Sequence, residues 1–386
     1  MKRIYLDNNA TTQILPEILD YVQPLFKDCF GNPSSIHQEG REARILFDEA
    51  REHVAEMIHA HEDEIVFTSC GTEGANHALK GVAYAKHTKG NHIITTQIEH
   101  PCVLNTCNYL QSHGFDITFL PVDSCGLIEP DDVKKAIKPG TILISVMYAN
   151  NETGNLLPVE EIGGIAREHG ILFHSDMVQA LGKIDIHMER LPVDIATFSG
   201  HKVYAPKGVG ALFVRRGIEM DNLIHGGHQE QGRRAGTENI IGIVAFGKAC
   251  EIIKNELTVE TKRIESLRQR LLDGILKRID HVRLNGHPTL RLPNTLNLSF
   301  EYVEAESLLT ALDIHGIAVS SGSACASGSS EPSHVLLSMG LAPEVCQSAI
   351  RFSLGRINTE EDIDYVISVI PDIVKRLRAL SPLCKP

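Results

Sequence analysis

The sequence predicts an α/β fold: a large domain with a mainly parallel seven-stranded sheet between helices, joined to a smaller α+β domain. Three observations carry this prediction. From about residue 64, short apolar runs alternate with amphipathic segments, the pattern of successive β–α–β units. Two of those runs close in polar clusters, one holding a carboxylate and one a lysine, which is where open α/β sheets bind ligands. With 386 residues, 42% of them apolar, the chain exceeds one small domain and can fill a large core.

Seven runs read as strands, over residues 64–70, 92–97, 116–122, 141–148, 170–176, 194–200 and 209–215. Amphipathic stretches at 72–86, 101–113, 130–137 and 158–169 read as the helices between them. The run at 209–215 follows its neighbour after the turn Pro206-Lys207-Gly208, too short for a crossover, so it is expected to be antiparallel. A long polar helix from about 239 to 280 then bridges to the second lobe. That lobe has expected strands near 281–285, 295–300, 318–321 and 350–354, and helices near 305–315 and 359–380. On this reading the large domain spans residues 12–255, and residues 1–11 and 256–386 form the small one.

Bulk properties narrow the function. The net charge is −12, and no dense Lys/Arg patch with aromatic residues occurs, so nucleic acid is not an expected partner. The start, Met1-Lys2-Arg3-Ile4-Tyr5-Leu6-Asp7, lacks a signal-peptide core, and no apolar run reaches membrane-spanning length; a cytoplasmic protein with no membrane partner is expected. Nine scattered cysteines with no C-x-x-C suggest neither a disulfide framework nor a zinc finger. Most of them should be small buried hydrophobes.

The candidate site grows from two strand ends. His174-Ser175-Asp176-Met177-Val178-Gln179 closes one run, and Ser199-Gly200-His201-Lys202 closes the next. A lysine and a carboxylate in one crevice suit pyridoxal phosphate: the lysine forms a Schiff base, and the carboxylate keeps the pyridine nitrogen protonated. Singly, Asp176 reads as a helix cap, Gln179 as a surface residue and Lys202 as one solvated lysine among many. Together, at the same end of successive strands, those readings fail.

Other segments are weaker alone. Cys70-Gly71-Thr72-Glu73 opens a helix and offers amides to a phosphate, although by itself it reads as an ordinary threonine N-cap. His100, in Glu99-His100-Pro101, can stack on a planar cofactor or be a solvated loop histidine. Asn151, in Asn150-Asn151-Glu152-Thr153-Gly154, fits either a plain turn or an amide donor to the cofactor. His225-Gly226-Gly227-His228-Gln229-Glu230 is not a specific metal pattern and reads as a glycine-rich loop. It leads through Thr237 to a second helix start. Cys325 lies in a run of Ser, Gly and Ala that cannot fill a core, so an accessible, reactive thiol is expected there. Arg351 interrupts an apolar strand and reads as a structural ion pair or as a fork for a substrate carboxylate.

Taken together these residues resemble the cysteine desulfurases, the NifS/IscS family of class V, fold-type I pyridoxal-phosphate enzymes. The likeness runs from Tyr5-Leu6-Asp7-Asn8-Asn9-Ala10-Thr11-Thr12 and Phe30-Gly31-Asn32-Pro33-Ser34-Ser35 through Ser199-Gly200-His201-Lys202 and Ser321-Gly322-Ser323-Ala324-Cys325 to Arg351-Phe352-Ser353-Leu354-Gly355-Arg356. The resemblance implies that Lys202 is the Schiff-base lysine and proton shuttle, Asp176 the pyridinium partner and Gln179 a donor to the phenolic oxygen. It implies that His100 stacks on the ring, that Gly71, Thr72, Ser199 and His201 hold the phosphate, and that Thr237 reaches the site of a second subunit in a homodimer. Asn151 and Arg351 would hold the carboxylate of L-cysteine, and Cys325 would become a persulfide that hands sulfur to an iron-sulfur scaffold or another acceptor protein. The loop around 226–239 and the short C-terminal ending lean toward the NifS type, which serves nitrogenase maturation. The alternatives are another class V enzyme, a selenocysteine lyase or an aminotransferase, or a non-catalytic scaffold for cluster assembly. No permanent metal is expected, because Cys325 alone can ligate a cluster only transiently.

Overall fold

The computed structural model describes residues 3–321 and 332–381. A short N-terminal strand β1 (Ile4–Tyr5) leads into helices α1 (Pro16–Val22), α2 (Leu25–Asp28) and α3 (Gln38–Met57). The large sheet is then laid down by β2 (Ile65–Thr68), β3 (His92–Thr96), β4 (Asp116–Leu120), β5 (Thr141–Ser145), β6 (Leu172–Asp176), β7 (Ile195–Ser199) and β8 (Gly210–Val214). Helices α4 (Gly71–Lys86), α5 (Pro101–Ser112), α6 (Pro130–Ala136) and α7 (Val159–Glu168) connect them. The strand order is β2-β8-β7-β6-β5-β3-β4; β8 alone runs antiparallel to its neighbours, as the short turn before it requires.

Both faces of this sheet are covered, which is why its strands read as largely apolar runs. Side chains alternate between the faces along each strand. Ile65, Phe67, Ala211 and Phe213 enter one core, whereas Val66, Leu212 and Val214 enter another on the opposite face.

Helix α8 (Ile240–Leu276) follows, about 55 Å long at 1.5 Å per residue. Asn239 caps it by accepting from the Gly242 amide at 3.1 Å. Its first half packs on the large core through Phe246 and Ile253, and its second half enters a separate core through Leu267, Leu271 and Ile275. Gly247 permits a close crossing: a Cβ there would lie 2.5 Å from the Ala50 Cα of α3.

The remaining elements are β9 (Val282–Asn285), β10 (Thr295–Phe300), α9 (Ala305–Ile314), β11 (Ile317–Ala318), β12 (Ser320–Ser321), α10 (His334–Ser338), α11 (Pro343–Cys346), β13 (Ala349–Ser353) and α12 (Glu360–Leu380). Strands β12, β13, β10 and β9 form an antiparallel sheet in that order. The strand expected at 318–321 is divided. Ala318 pairs with Tyr5, while Ser320 pairs with Arg351, so one segment serves two sheets.

Helices α1 to α3 were not expected, since the strand alternation starts only after them. The stripe Ala43, Phe47, Ala50 and Val54 along α3, spaced for one helix face and fully buried, was the available signal. No helix among the described residues is long and apolar enough to cross a membrane.

Candidate active site

The carboxyl ends of β2, β3, β5, β6 and β7 open onto one cleft of about 210 Å³. Gly71 and Thr72, His100, Asn151, Asp176 and Gln179, Ser199, His201, Lys202 and Arg351 all line it. Residues spread over 280 positions of sequence therefore share one cavity: all but Arg351 follow or end neighbouring strands of the large sheet, and Arg351 reaches in from β13 of the small one.

At one wall α4 begins. Its cap is Cys70, in extended conformation and with no side-chain capping bond; Thr72 is the second helical residue, so the expected threonine cap is corrected. Without a capping side chain, the first amides and the positive end of the helix dipole face an anion site. A Cβ on Gly71 would come within 3.0 Å of Val178 Cγ2 and 3.5 Å of Ser199 Cβ, so glycine keeps this corner open. The Ser199 hydroxyl is buried and has no partner among the described residues.

Asp176 ends β6, is 5% exposed, and accepts from the Val178 amide at 3.0 Å. Burial raises its pKa to about 6, opposed by the Lys202 ammonium. His100 is the N-cap of α5, with Nδ1 accepting from the Cys102 amide at 3.2 Å, and is not a solvated loop residue. Burial, with help from Lys202, lowers its pKa to about 4, so it is neutral near pH 7 and carries its proton on Nε2.

Lys202 follows β7 in a 3₁₀ turn and donates to the backbone carbonyls of Asn9 and Ala10, at 2.6 Å each. Gln179 Nε2 donates to the Asn9 carbonyl at 3.0 Å, and its Oε1 accepts from Lys183 at 2.5 Å. Asn9 also donates to the Asn151 carbonyl (3.1 Å) and to Thr295 Oγ1 (2.9 Å). Arg351 makes the structural ion pair that the sequence allowed. Its Nη2 pairs with Asp7 at 2.8 Å, its Nη1 donates to the Asn151 carbonyl at 3.0 Å, and it still borders the cleft.

Thr237 is exposed and does not line the cleft of its own chain. Cys325 lies outside the described residues. Sequence reasoning missed Asn9 and Lys183 as organisers of Gln179. It also missed Glu99, buried beneath His100, where it accepts from Thr96 Oγ1 and the Met147 amide at 2.9 Å each. Asn9 stands in the N-terminal motif already singled out, but nothing local reveals that the motif reaches the Lys202 turn.

A parallel-sheet fold with a lysine, a buried carboxylate and a helix N-terminus around one cleft defines a fold-type I pyridoxal-phosphate enzyme. The model of the aminotransferase class-V family matches residues 4–366. A "Cysteine desulfurase IscS" of Methanosarcina thermophila is 49% identical over 382 residues, covering 99% of this chain and 94% of that protein. A solved structure described as a NifS-like protein superposes with a TM-score of 0.92 at 40% identity, covering 97% of this chain and 100% of the other. Another, "SspA in complex with cysteine", gives a TM-score of 0.82 at 38% identity, covering 92% and 99%.

The chain belongs to the class-V aminotransferase family and, within it, to the cysteine desulfurases. Its cofactor is pyridoxal 5'-phosphate, and the cleft fits it: an acid to meet the ring nitrogen, a lysine, an uncapped helix start and the unpartnered Ser199 hydroxyl.

Proposed function

We propose that this enzyme takes sulfur from free L-cysteine, releasing L-alanine and leaving a persulfide on Cys325. The observation that carries the reading is the placement of Lys202, Asp176 and Arg351 in one cleft. Bound there, pyridoxal phosphate supplies an electron sink for charge developing at the substrate Cα.

The protein's residues do the rest. Asp176 holds the proton on the ring nitrogen, neutral His100 offers the stacking face, and Gln179, fixed by Lys183 and Asn9, presents its amide to the phenolic oxygen. Gly71, Thr72, Ser199 and His201 hold the phosphate, joined by Thr237 from a second copy. The exposure of Thr237 supports such a homodimer, as do the apolar side chains Phe26, Phe30 and Ile36 left uncovered near the N-terminus. Arg351 and Asn151 orient the substrate carboxylate. Lys202 removes the Cα proton and returns it during turnover.

The Cys325 thiolate then attacks the substrate sulfur. A sulfur–sulfur bond forms, the carbon–sulfur bond breaks, and its electron pair stays on the substrate carbon, which takes up a proton and leaves as L-alanine. Sulfur passes from Cys325 to an acceptor protein for iron-sulfur cluster assembly. General assembly is the reading common to the IscS name of the relative and the NifS-like motifs, with nitrogenase maturation as its specialised form. We also read the chain as the two lobes 12–255 and 1–11 with 256–386, working in the cytoplasm. The second core, drawn only from residues between Ile4 and Leu6 and between Ile264 and Val374, supports that division.

The test is L-alanine release from L-cysteine with a reductant present to clear the persulfide. The wild type should give alanine and sulfide in equal amounts. Cys325→Ala should lose sulfide production while keeping its cofactor absorbance. Full sulfide production by that variant would refute the role of Cys325.

A further inference from the structure

The sequence holds no compact metal pattern, yet the fold assembles a metal-ligating cluster from residues far apart. His59 follows α3, while Asp185 and His187 lie in the segment between β6 and β7. His187 Nε2 is 2.9 Å from Asp185 Oδ2, and His59 Nε2 is 3.5 Å from Asp185 Oδ1. The imidazole rings stack with centroids 3.9 Å apart and planes 16° from parallel. One ligand atom from each residue falls within 4.8 Å of the others. Around a tetrahedral ion with bonds of about 2.1 Å, ligand atoms stand about 3.4 Å apart. The two histidine–carboxylate separations, one to each Asp185 oxygen, lie near that value, and side-chain rotation of the three residues on their fixed backbone would aim one atom of each at a shared ion.

The backbone beneath is rigid. Ile58, Ile186 and Met188 are buried at 0%, 2% and 0% exposure, so the intervening ligands point outward from fixed anchors. Two hydrogen bonds stitch the segments together, from the Met188 amide to the Ile58 carbonyl (2.9 Å) and from the Glu189 amide to the His59 carbonyl (3.2 Å). His59 itself is held at a φ of +50°, a left-handed conformation that a non-glycine residue adopts at a cost. Arg215 clamps the same segment from below, donating to the Met188 carbonyl at 2.7 Å.

We propose that His59, Asp185 and His187 form a surface site for a divalent transition ion of the zinc type, with water completing the shell. Two imidazoles and one carboxylate are a borderline N/O donor set suited to zinc. None of the three lines the catalytic cleft, so the site is separate from the desulfurase chemistry. A bound ion would pin the end of α3 to the segment that leaves the Asp176 strand and would stabilise the folded enzyme by mass action.

The experiment uses the holoenzyme in a Cys325→Ala background, which removes the one thiol expected to be reactive. After chelator treatment, it is dialysed against Zn²⁺ and the bound metal is measured by mass spectrometry, alongside His59→Ala and His187→Ala in the same background. The parent should hold one more zinc per chain than either variant, or bind it at least roughly tenfold more tightly. Zinc should also raise the unfolding temperature of the parent alone. Retained cofactor absorbance certifies that the variants are folded. Equal zinc content and equal thermal shifts in parent and variants would overturn the site.

Discussion

Arg351 shows how one side chain answers two demands. Its guanidinium is 3% exposed, so it must be paired, and Asp7 supplies the charge at 2.8 Å. That pair also fixes the fork at the edge of the cleft, with Nη1 held by the Asn151 carbonyl. Lysine has the charge but not the planar, two-pronged geometry. Arg351→Lys is therefore expected to raise KM for L-cysteine by roughly 10- to 100-fold, the equivalent of one charged hydrogen bond, with a smaller change in kcat. Steady-state kinetics on protein with unchanged cofactor absorbance would check it; an unchanged KM would mean that Arg351 serves only the ion pair. Arg351 was legible because a cation in an apolar strand needs an explanation. Asn9 was not, because its contacts with Gln179 and Lys183 are made across 170 or more positions of chain; Lys183 stands only four residues from Gln179, but nothing in the sequence marks it as buried against the site.

At the scale of elements, largely apolar runs disclosed the strands because a sheet buried on both faces admits few charged residues, although neutral polar side chains such as Thr95, Ser145 and His174 are buried within it. The links between elements left no such trace. Arg51 of α3 pairs with Glu230 at 2.7 Å, and both are buried. Glu230 also accepts from the Phe67 amide at 2.8 Å, joining α3, β2 and the glycine-rich loop, a structural role that the sequence did not suggest for it. Its φ of +50° is strained, so these bonds hold it in place. Glu230→Ala leaves a buried guanidinium and an amide unpaired and should destabilise the protein by about 3–5 kcal/mol. The double variant Arg51→Met/Glu230→Leu should recover part of this but not all, because the Phe67 amide stays unsatisfied. Chemical denaturation of the three proteins would decide; a double variant no more stable than Glu230→Ala would show that the charge is not the source of the loss. Thr237, at the end of that loop, marks another limit: its proposed place in a second copy's cleft rests on the family resemblance, and no pattern within one chain carries it.

Across the whole molecule, buried titratable groups of opposite kinds set the response to pH. Burial lowers His174 to about 3 and His77, His100 and His201 to about 4. In the unfolded chain they titrate near their usual value of about 6.5, so between roughly pH 4 and 6.5 the unfolded state binds more protons, and stability rises with pH. Burial raises Glu99 to about 8 and Glu152 to about 7. Unfolded, they ionise near about 4.3; above that the folded state holds the extra protons, and stability falls as pH climbs toward 8. From pH 4.5 to 6.5 the two trends oppose each other; above 6.5 the carboxylates pull stability down with rising pH, while Lys183, whose pKa burial and the nearby Lys202 and Arg351 cations hold well below the ordinary lysine value, pulls the other way. Asp176 is left out of this account, because in the proposed function it would face the cofactor's ring nitrogen. Within this balance Glu99 contributes a decline in the holoenzyme's stability between pH 6.5 and 8, and Glu99→Gln, which keeps the shape and bears no ionisable proton, should remove that contribution and shift the slope upward. The change in slope can reach about 1.4 kcal/mol per pH unit for one fully titrating group. Urea denaturation at several pH values across this range measures it directly. Parallel profiles for wild type and Glu99→Gln would mean that Glu99 is ionised in the folded protein, stabilised by the Thr96 and Met147 donors against the burial that surrounds it.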